Sequence, residues 1–377
     1  MRCFAIPFAL VLFGSAASAG ELDVPLKVIN SVGKEGVGNA EAAKAWAALV
    51  KAGPEALFPI LNAIADDKPT SANWLRTAVD AIAEKHVATG GKFGPDKLTK
   101  FVADGTSSPT ARAVAFDLLR KEDKDKALAM LPGFLDDPSV ELRREAIQAQ
   151  FIKETTLNRL PEIPTLQKLF AAARDKDQVE AIAKELKNQK QVPDITKHFG
   201  YITQWSLSEN FDNKDGVGYA KAYAPETAAD RKGWKNAQAS ETYGFMDLNA
   251  AIGKKMNAVA YASAIFEADA ETPAQIRVAS QNALKIYLNG KEVFSREEYH
   301  HGTKMDQHVA KVTLLKGKNS ILLKVCQNDM PYDWAQVWGF AARICDSTGG
   351  SLKLKQLVDD KPVSLGELAP AATKEPK

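Results

Sequence analysis

Leu284-Lys285-Ile286-Tyr287-Leu288-Asn289-Gly290-Lys291-Glu292-Val293 and Leu315-Lys316-Gly317-Lys318-Asn319-Ser320-Ile321-Leu322-Leu323-Lys324-Val325 are two strand-turn units. In the first, Leu284, Ile286 and Leu288 alternate with Lys285 and Tyr287, the period of a strand with one buried face. Asn289-Gly290 then supplies the pair of positive-φ residues that a tight hairpin needs. In the second, Gly317 and Asn319 turn the chain into Ile321, Leu323 and Val325, again on one face. The predicted elements around them are also strands. Gln204 and Trp205 lie in a strand predicted over 199–205, Trp234-Lys235 and Met246-Asp247-Leu248 give short strands, and Val259 to Glu267 is apolar on both faces, as in a central strand. Ile276 with Val278 gives the next strand, and Trp338, Phe340 and Ile344 alternate along another.

The pair of units, with a first strand running into Phe211-Asp212-Asn213 and a loop ending in Pro225-Glu226, resembles the galactose-binding-like jelly-roll domains, including the sugar-binding domain of β-galactosidase-type glycoside hydrolases. The resemblance covers roughly 199–347 and implies a binding or packing module. One departure is Ser280-Gln281-Asn282-Ala283, where related domains often carry an acidic Asp-Asp-Gly turn. If that turn holds a ligand or cation in relatives, this chain has lost it.

Between Asn39 and Lys187 the apolar spacing is helical: Ala42, Ala45, Trp46, Leu49 and Val50, then Leu57, Ile60, Leu61 and Ile64, and onward to Val179, Ile182, Ala183 and Leu186. Each segment is short and one-sided, so it must bury its face by stacking on neighbours. Leu135-Asp136-Asp137-Pro138 through Arg143 closes one helix, turns through proline and opens the next. Asp104 to Pro109 to Arg112 repeats that order, as does Asp66 to Pro69 to Arg76. This resembles a HEAT-repeat, armadillo-like helical array, in which an Asp at the turn and an Arg early in the second helix form a ladder; Asp136 with Arg143, Asp104 with Arg112 and Asp66 with Arg76 match it in decreasing order. The last unit, near Asp175 to Val179, lacks the Arg. The helical period stops at Asn188 to Pro193. The expected organisation is therefore an all-α HEAT-like solenoid over 20–192, an all-β galactose-binding-like jelly-roll sandwich over 198–347, and a flexible tail over 348–377, low in aromatics.

Met1-Arg2, an apolar run from Phe4 to Phe13 and Ala17-Ser18-Ala19 before Gly20 read as a cleavable signal peptide over 1–19, with a run too short to span a bilayer. The expected location is secreted or periplasmic, with no membrane span in the mature chain. That leaves Cys326 and Cys345. If residues 320–327 and 337–345 form a hairpin, the two lie farther apart along the ladder than the ~7 Å between alpha carbons that a disulfide tolerates; a bond between them would mean that the strands are not hairpin neighbours.

With 49 basic against 47 acidic residues, charge points to no nucleic acid or anionic membrane. The sequence contains no G-x-S-x-G, H-E-x-x-H, P-loop or C-x-x-C-H motif, and its adjacent acids, Glu297-Glu298 and Asp359-Asp360, read as solvated, so no enzyme is expected and no catalytic residue is named. For binding, the loop from Asn328 to Gln336 stands out. Tyr332 and Trp334 offer aromatic faces to stack on a pyranose, while Asp333 and Gln336 offer hydrogen bonds to its hydroxyls; the alternative is that both aromatics fold back onto the sandwich edge. Tyr299 and His301 complete the ligand-binding candidates. No cofactor is expected. Calcium at Asp212, Asn213, Asp215 and Gly216 competes with a plain turn. His300, His301 and His308 near Glu297 and Glu298 match no familiar zinc spacing and read as a solvated loop. The expected function is an exported, non-enzymatic protein whose sandwich engages carbohydrate or a glycosylated surface, with the helical array as scaffold or protein-binding surface; the alternative is a structural or assembly protein of the cell envelope without a small ligand.

Overall fold

The computed structural model describes residues 19–156, 159–227, 231, 233–240, 242–358 and 361–364. The expected signal peptide, apart from Ala19, and the end of the tail lie outside them. No helix among the described residues is long and apolar enough to cross a membrane. The chain divides into two compact units, Met1–Leu160 and Pro161–Lys377.

The first unit is helical: α1 (Ala19–Asn30), α2 (Asn39–Ala52), α3 (Leu57–Ala63), α4 (Pro69–Ala88), α5 (Pro95–Ala103), α6 (Pro109–Glu122), α7 (Lys124–Met130) and α8 (Val140–Thr155). Prolines at the first turns of α4, α5 and α6 start helices where no backbone donor is lost. Ser108 and Ser139 cap α6 and α8 by accepting from Ala111 and Leu142 backbone N–H groups. The apolar positions read from the sequence are interior, Leu49, Leu57, Ile60, Leu75, Val79 and Leu119 having essentially no exposure.

The Asp and Arg positions pair differently from the expected ladder. Arg112 reaches forward to Asp137, with Nη1 and Nη2 donating to its two carboxylate oxygens at 3.0 and 2.7 Å while Nε donates to the Val102 carbonyl at 2.7 Å. Asp136 is exposed, and Arg143 donates through Nε to the backbone carbonyl of Asp137 at 2.9 Å. Asp66 accepts from Ser108 and Thr110, Asp104 binds its own turn at Thr106 and Ser107, and Arg76 is exposed. The buried member of the Asp136-Asp137 pair is the second, because only it faces the preceding helix pair.

The second unit begins with α9 (Ile163–Ala172), α10 (Lys176–Asn188) and α11 (Ile195–Phe199), followed by β1 (Gln204–Leu207), β2 (Phe211–Asp212), α12 (Val217–Ala220), α13 (Ala224–Thr227), β3 (Lys235–Gln238), β4 (Phe245–Asp247) and α14 (Leu248–Ile252). Then come β5 (Ala258–Ala268), β6 (Thr272–Ala279), β7 (Ala283–Leu288), β8 (Lys291–Arg296), β9 (His308–Leu314), β10 (Gly317–Gln327), β11 (Gly339–Cys345), β12 (Lys355–Val358) and β13 (Lys361–Ser364). The larger sheet runs β13-β12-β5-β10-β7-β8, with β1 and β2 also on β5 and β3 on β1; the smaller runs β4-β11-β6-β9, and the pairings are antiparallel.

The two strand-turn units prove to be sheet neighbours. β10 pairs with β7 so that Ile321 faces Leu288, Leu323 faces Ile286 and Val325 faces Leu284. All six side chains enter the core between the sheets, against Ile276, Val278, Phe340 and Ile344 of the smaller sheet. Asn289 and Gly290 take φ of 51° and 79°, as the tight hairpin into β8 requires. Asn289 Oδ1 accepts from the Ser320 amide at 2.8 Å, so the first turn is bonded to the second unit's strand.

Three expectations are corrected here. The helical period continues to Asn188, but the compact units divide at Leu160, so α9 and α10 belong with the sandwich: Tyr243 donates its hydroxyl to Glu180, and His198 Nε2 donates to the Ala173 carbonyl at 2.9 Å. The tail is not uniformly free, since β12 pairs with β5 from Lys355↔Glu267 to Leu357↔Ile265 and Leu354 is buried. Residues 320–327 and 337–345 are not hairpin partners: β10 and β11 lie in different sheets, and Cys326 and Cys345 are both free and buried.

Candidate functional site

A set of side-chain amides fixes the loop between β10 and β11. Asn282, buried in the β6–β7 turn, donates through Nδ2 to Gln327 Oε1 at 2.9 Å and to the Val337 carbonyl at 3.2 Å, and its Oδ1 accepts from the Gly339 amide at 3.1 Å. Gln327 in turn donates to the Ala335 carbonyl at 3.1 Å, and Asn249 of α14 donates to the Gln336 carbonyl at 2.8 Å. Gln336 folds back to donate to the Pro331 carbonyl at 2.7 Å. The Asn328 carbonyl accepts from the Asn257 amide at 3.0 Å. A loop tied at both ends by side-chain amides loses little further entropy when it meets a partner.

On this frame Tyr332 and Trp334 project outward, 61% and 60% exposed. Their rings are parallel within 7°, with centroids 6.0 Å apart. They do not fold back onto the sandwich edge. His300 stands edge-to-face against Trp334, at 5.4 Å and 82°. Its Nε2 lies 2.9 Å from Asn328 Oδ1 and its amide donates to the Gln281 carbonyl at 2.6 Å, bonds that hold the residue at a φ of 65°. Asp329 and Asp333 are exposed on the same loop.

The remaining candidates disperse. Tyr299 turns to the other side of its loop, where its ring packs on the outer face of the larger sheet and its hydroxyl accepts from Asn213 Nδ2 at 3.2 Å. Burial there pushes the Tyr299 hydroxyl up to about 12. His301 is exposed, with Nε2 3.7 Å from Glu298 Oε2, and His308 packs its ring on Phe294. Among the described residues no group of three or more His, Cys, Asp or Glu side chains is placed to hold a metal ion. The Asp212 loop likewise splits its oxygens, with Asn213 fully buried and Asp212 and Asp215 exposed. Gln336 serves as a brace of the loop through its amide nitrogen and its backbone carbonyl.

Two features escaped the sequence reading. Asn282, which looked like the relic of a lost acidic turn, is the anchor of the whole loop. On the outer face of the larger sheet, a strap of residues 211–227 covers an ion pair between Glu226 and Lys324 at 2.8 Å, with the Lys324 side chain fully buried. Tyr261 and Tyr287 donate their hydroxyls to the same carboxylate, Tyr287 at 2.6 Å. Burial raises the Glu226 carboxyl, but the bonds from Lys324, Tyr261 and Tyr287 outweigh it and hold the group below the usual glutamate range. Burial, then the bond to Glu226, pushes both phenols well above theirs. Separate from the aromatic loop, grooves of about 200 Å3 and 590 Å3 are lined by Ser206, Ser263 and Gln356, and by Ala237, Phe245 and Ala250.

No family model matches the chain, and no curated protein matches it. Among solved structures it is similar to a β-glucosidase of Kluyveromyces marxianus in complex with glucose, at 9% identity and a TM-score of 0.22 over 42% of this chain and 16% of that one. It is similar to the Se-Met labelled form of that enzyme at 9% identity and a TM-score of 0.25, over 67% of this chain and 34% of that one. The third is the GH31 α-xylosidase of Xanthomonas citri, at 11% and 0.20, over 37% and 16%. The chain thus spans about a third or less of the length of the structures it matches. All three are glycosidases, and the expectation of a non-enzymatic chain is withdrawn on that finding. At these TM-scores the likeness assigns neither an activity nor a substrate.

Proposed function

We propose that the sandwich is a galactose-binding-like jelly roll that engages carbohydrate, or a glycosylated surface partner, through Tyr332 and Trp334. The observation that carries this reading is the exposed parallel pair of rings on a loop braced by Asn282, Gln327 and Asn249. Large aromatics gain by burial, so two held out in water on a rigid loop suit a partner that covers them. A pyranose presents C–H groups to such faces, and Asp329 and Asp333 stand beside them as acceptors for its hydroxyls. The helical unit is read as a HEAT-like array that serves as scaffold or protein-binding surface, and the chain as exported.

The test is a glycan array probed with the full chain, with and without calcium, followed by titration of any responding glycan. Each aromatic contact contributes about 0.5–1.5 kcal/mol, so Tyr332→Ala with Trp334→Ala is expected to weaken binding by roughly 5- to 150-fold. Unchanged affinity in the double variant removes the loop from the site. Silence of the wild-type chain across the array favours the envelope assembly role.

A further inference from the structure

The Glu226 cluster divides unevenly between sheet and strap. The three side-chain donors, Lys324, Tyr261 and Tyr287, belong to the sheet and the carboxylate belongs to the strap, whose own Tyr223 amide adds a longer bond to Glu226 Oε1 at 3.4 Å. Lys324 of β10 lies directly opposite Tyr261 of β5, and Tyr287 of β7 lies opposite Leu322, two residues along from Lys324. Register alone therefore brings one ammonium and two hydroxyls to one spot on the outer face. Glu226 Oε1 accepts from Lys324 Nζ at 2.8 Å and from Tyr261, and Oε2 accepts from Tyr287 at 2.6 Å. The strap has other ties as well, one of them to Lys324 itself. The short β2 pairs Phe211 and Asp212 with Val259 and Ala258, Asn213 donates to the Gln327 carbonyl at 3.0 Å, and Lys324 donates to the Lys221 carbonyl at 2.6 Å.

We propose that Lys324, Tyr261 and Tyr287 form a carboxylate-binding site on the outer face of the larger sheet, which the strap fills in cis through Glu226. A buried ammonium without an anion is costly, so the site demands a carboxylate, and the chain supplies its own. Phe211, Tyr219 and Tyr223 pack beneath the closed strap on Val259, Tyr261 and Tyr287. Release of Glu226 frees the strap to lift from that aromatic face while the core between the two sheets, on the opposite side of β5, β10 and β7, stays closed.

The strap carries its own reporter bonds, since trypsin cuts after Lys214 and Lys221. In the full-length protein, Glu226→Ala is expected to be cut within the strap at least about tenfold faster than wild type, tenfold being the ratio that each 1.4 kcal/mol of lost closure gives. Near-UV circular dichroism from the Trp205–Phe340 core contact is expected to persist. Acetate or glucuronate is expected to slow that cleavage again where chloride at equal ionic strength does not, and Lys324→Met in the Glu226→Ala background is expected to abolish the response. Glu226→Gln, which removes the charge and keeps an acceptor oxygen for only one side of the carboxylate's bonds, is expected to fall between wild type and Glu226→Ala. Strap cleavage unchanged in Glu226→Ala, protection no greater with carboxylate than with chloride, or loss of the core signal in both Glu226 variants would each overturn the proposal.

Discussion

Removing the charge of Asp306 tests what joins α11 to the sandwich. Arg343 is 1% exposed at its side chain and lies in the middle of β11. Its Nε and Nη2 donate to the two oxygens of Asp306 at 2.7 and 2.6 Å, and its Nη1 donates to the carbonyls of Phe199 and Gly349 at 3.0 and 2.8 Å. Arg277 adds a third bond to Asp306 at 2.7 Å. Asp306→Asn keeps the shape and leaves a buried guanidinium without its anion, a change that costs about 3–5 kcal/mol when one partner of a buried pair is removed. For a unit of this size each kcal/mol moves the midpoint by ~2–4 °C, so a fall of roughly 6–20 °C is expected. The assay is thermal and urea unfolding of the full chain, followed by near-UV circular dichroism.

The same residue fixes the pH dependence. Burial raises the Asp306 carboxyl, but the bonds and charges of Arg343 and Arg277 outweigh it and hold it below the ordinary aspartate range. A group depressed in the folded state contributes stability that is complete above its unfolded value, about 3.9, and lost as pH falls through the folded one. The gap between wild type and Asp306→Asn is therefore expected to be constant from neutral pH to about 5 and to close below about 4. A gap under about 1 kcal/mol at neutral pH, the worth of an exposed pair, or one that widens in acid, refutes the reasoning.

Two further outcomes are expected. Arg112→Met strands the buried Asp137 carboxylate and is expected to cost the helical unit about 3–5 kcal/mol, whereas Arg112→Met with Asp137→Leu recovers most of that loss; equal losses in single and double variants would place the strain in packing. His198 is pushed down to about 4 by burial, with Arg174 and Arg343 acting in the same direction against its bond to Ala173. Its neutral form is therefore the folded form, stability is complete above about 6.5, and about 3 kcal/mol is lost as pH falls from there to about 4. Urea midpoints from pH 7 to 4 are expected to show this slope and His198→Phe to flatten it; a slope unchanged in the variant assigns it elsewhere.

The parts of the fold that were legible in the sequence are those set by local period. Alternation placed Leu284, Ile286, Leu288, Ile321, Leu323 and Val325 on the inner face, and Asn289-Gly290 announced its turn, because both follow from backbone geometry within a few residues. The helical spacing of Leu49, Leu57, Leu75 and Leu119 was readable for the same reason. Tyr332 and Trp334 were legible as chemistry but not as geometry, since exposure and ring orientation depend on amides contributed by Asn249, Asn282 and Gln327. Asp136 and Asp137 are neighbours of one residue type, and only the position of Arg112 in the folded array selects the second.

By itself, then, the sequence determined two regions of different period, their core faces and their turns, because side-chain direction along a helix or strand is a local property. Tertiary structure decided which strands are neighbours, that α9 and α10 belong with the sandwich, that β12 completes the larger sheet, and that Lys324 and Glu226 meet. Those depend on register and on contacts between segments far apart in the chain, where a buried charge finds its partner by position in space and leaves no periodic mark in the sequence.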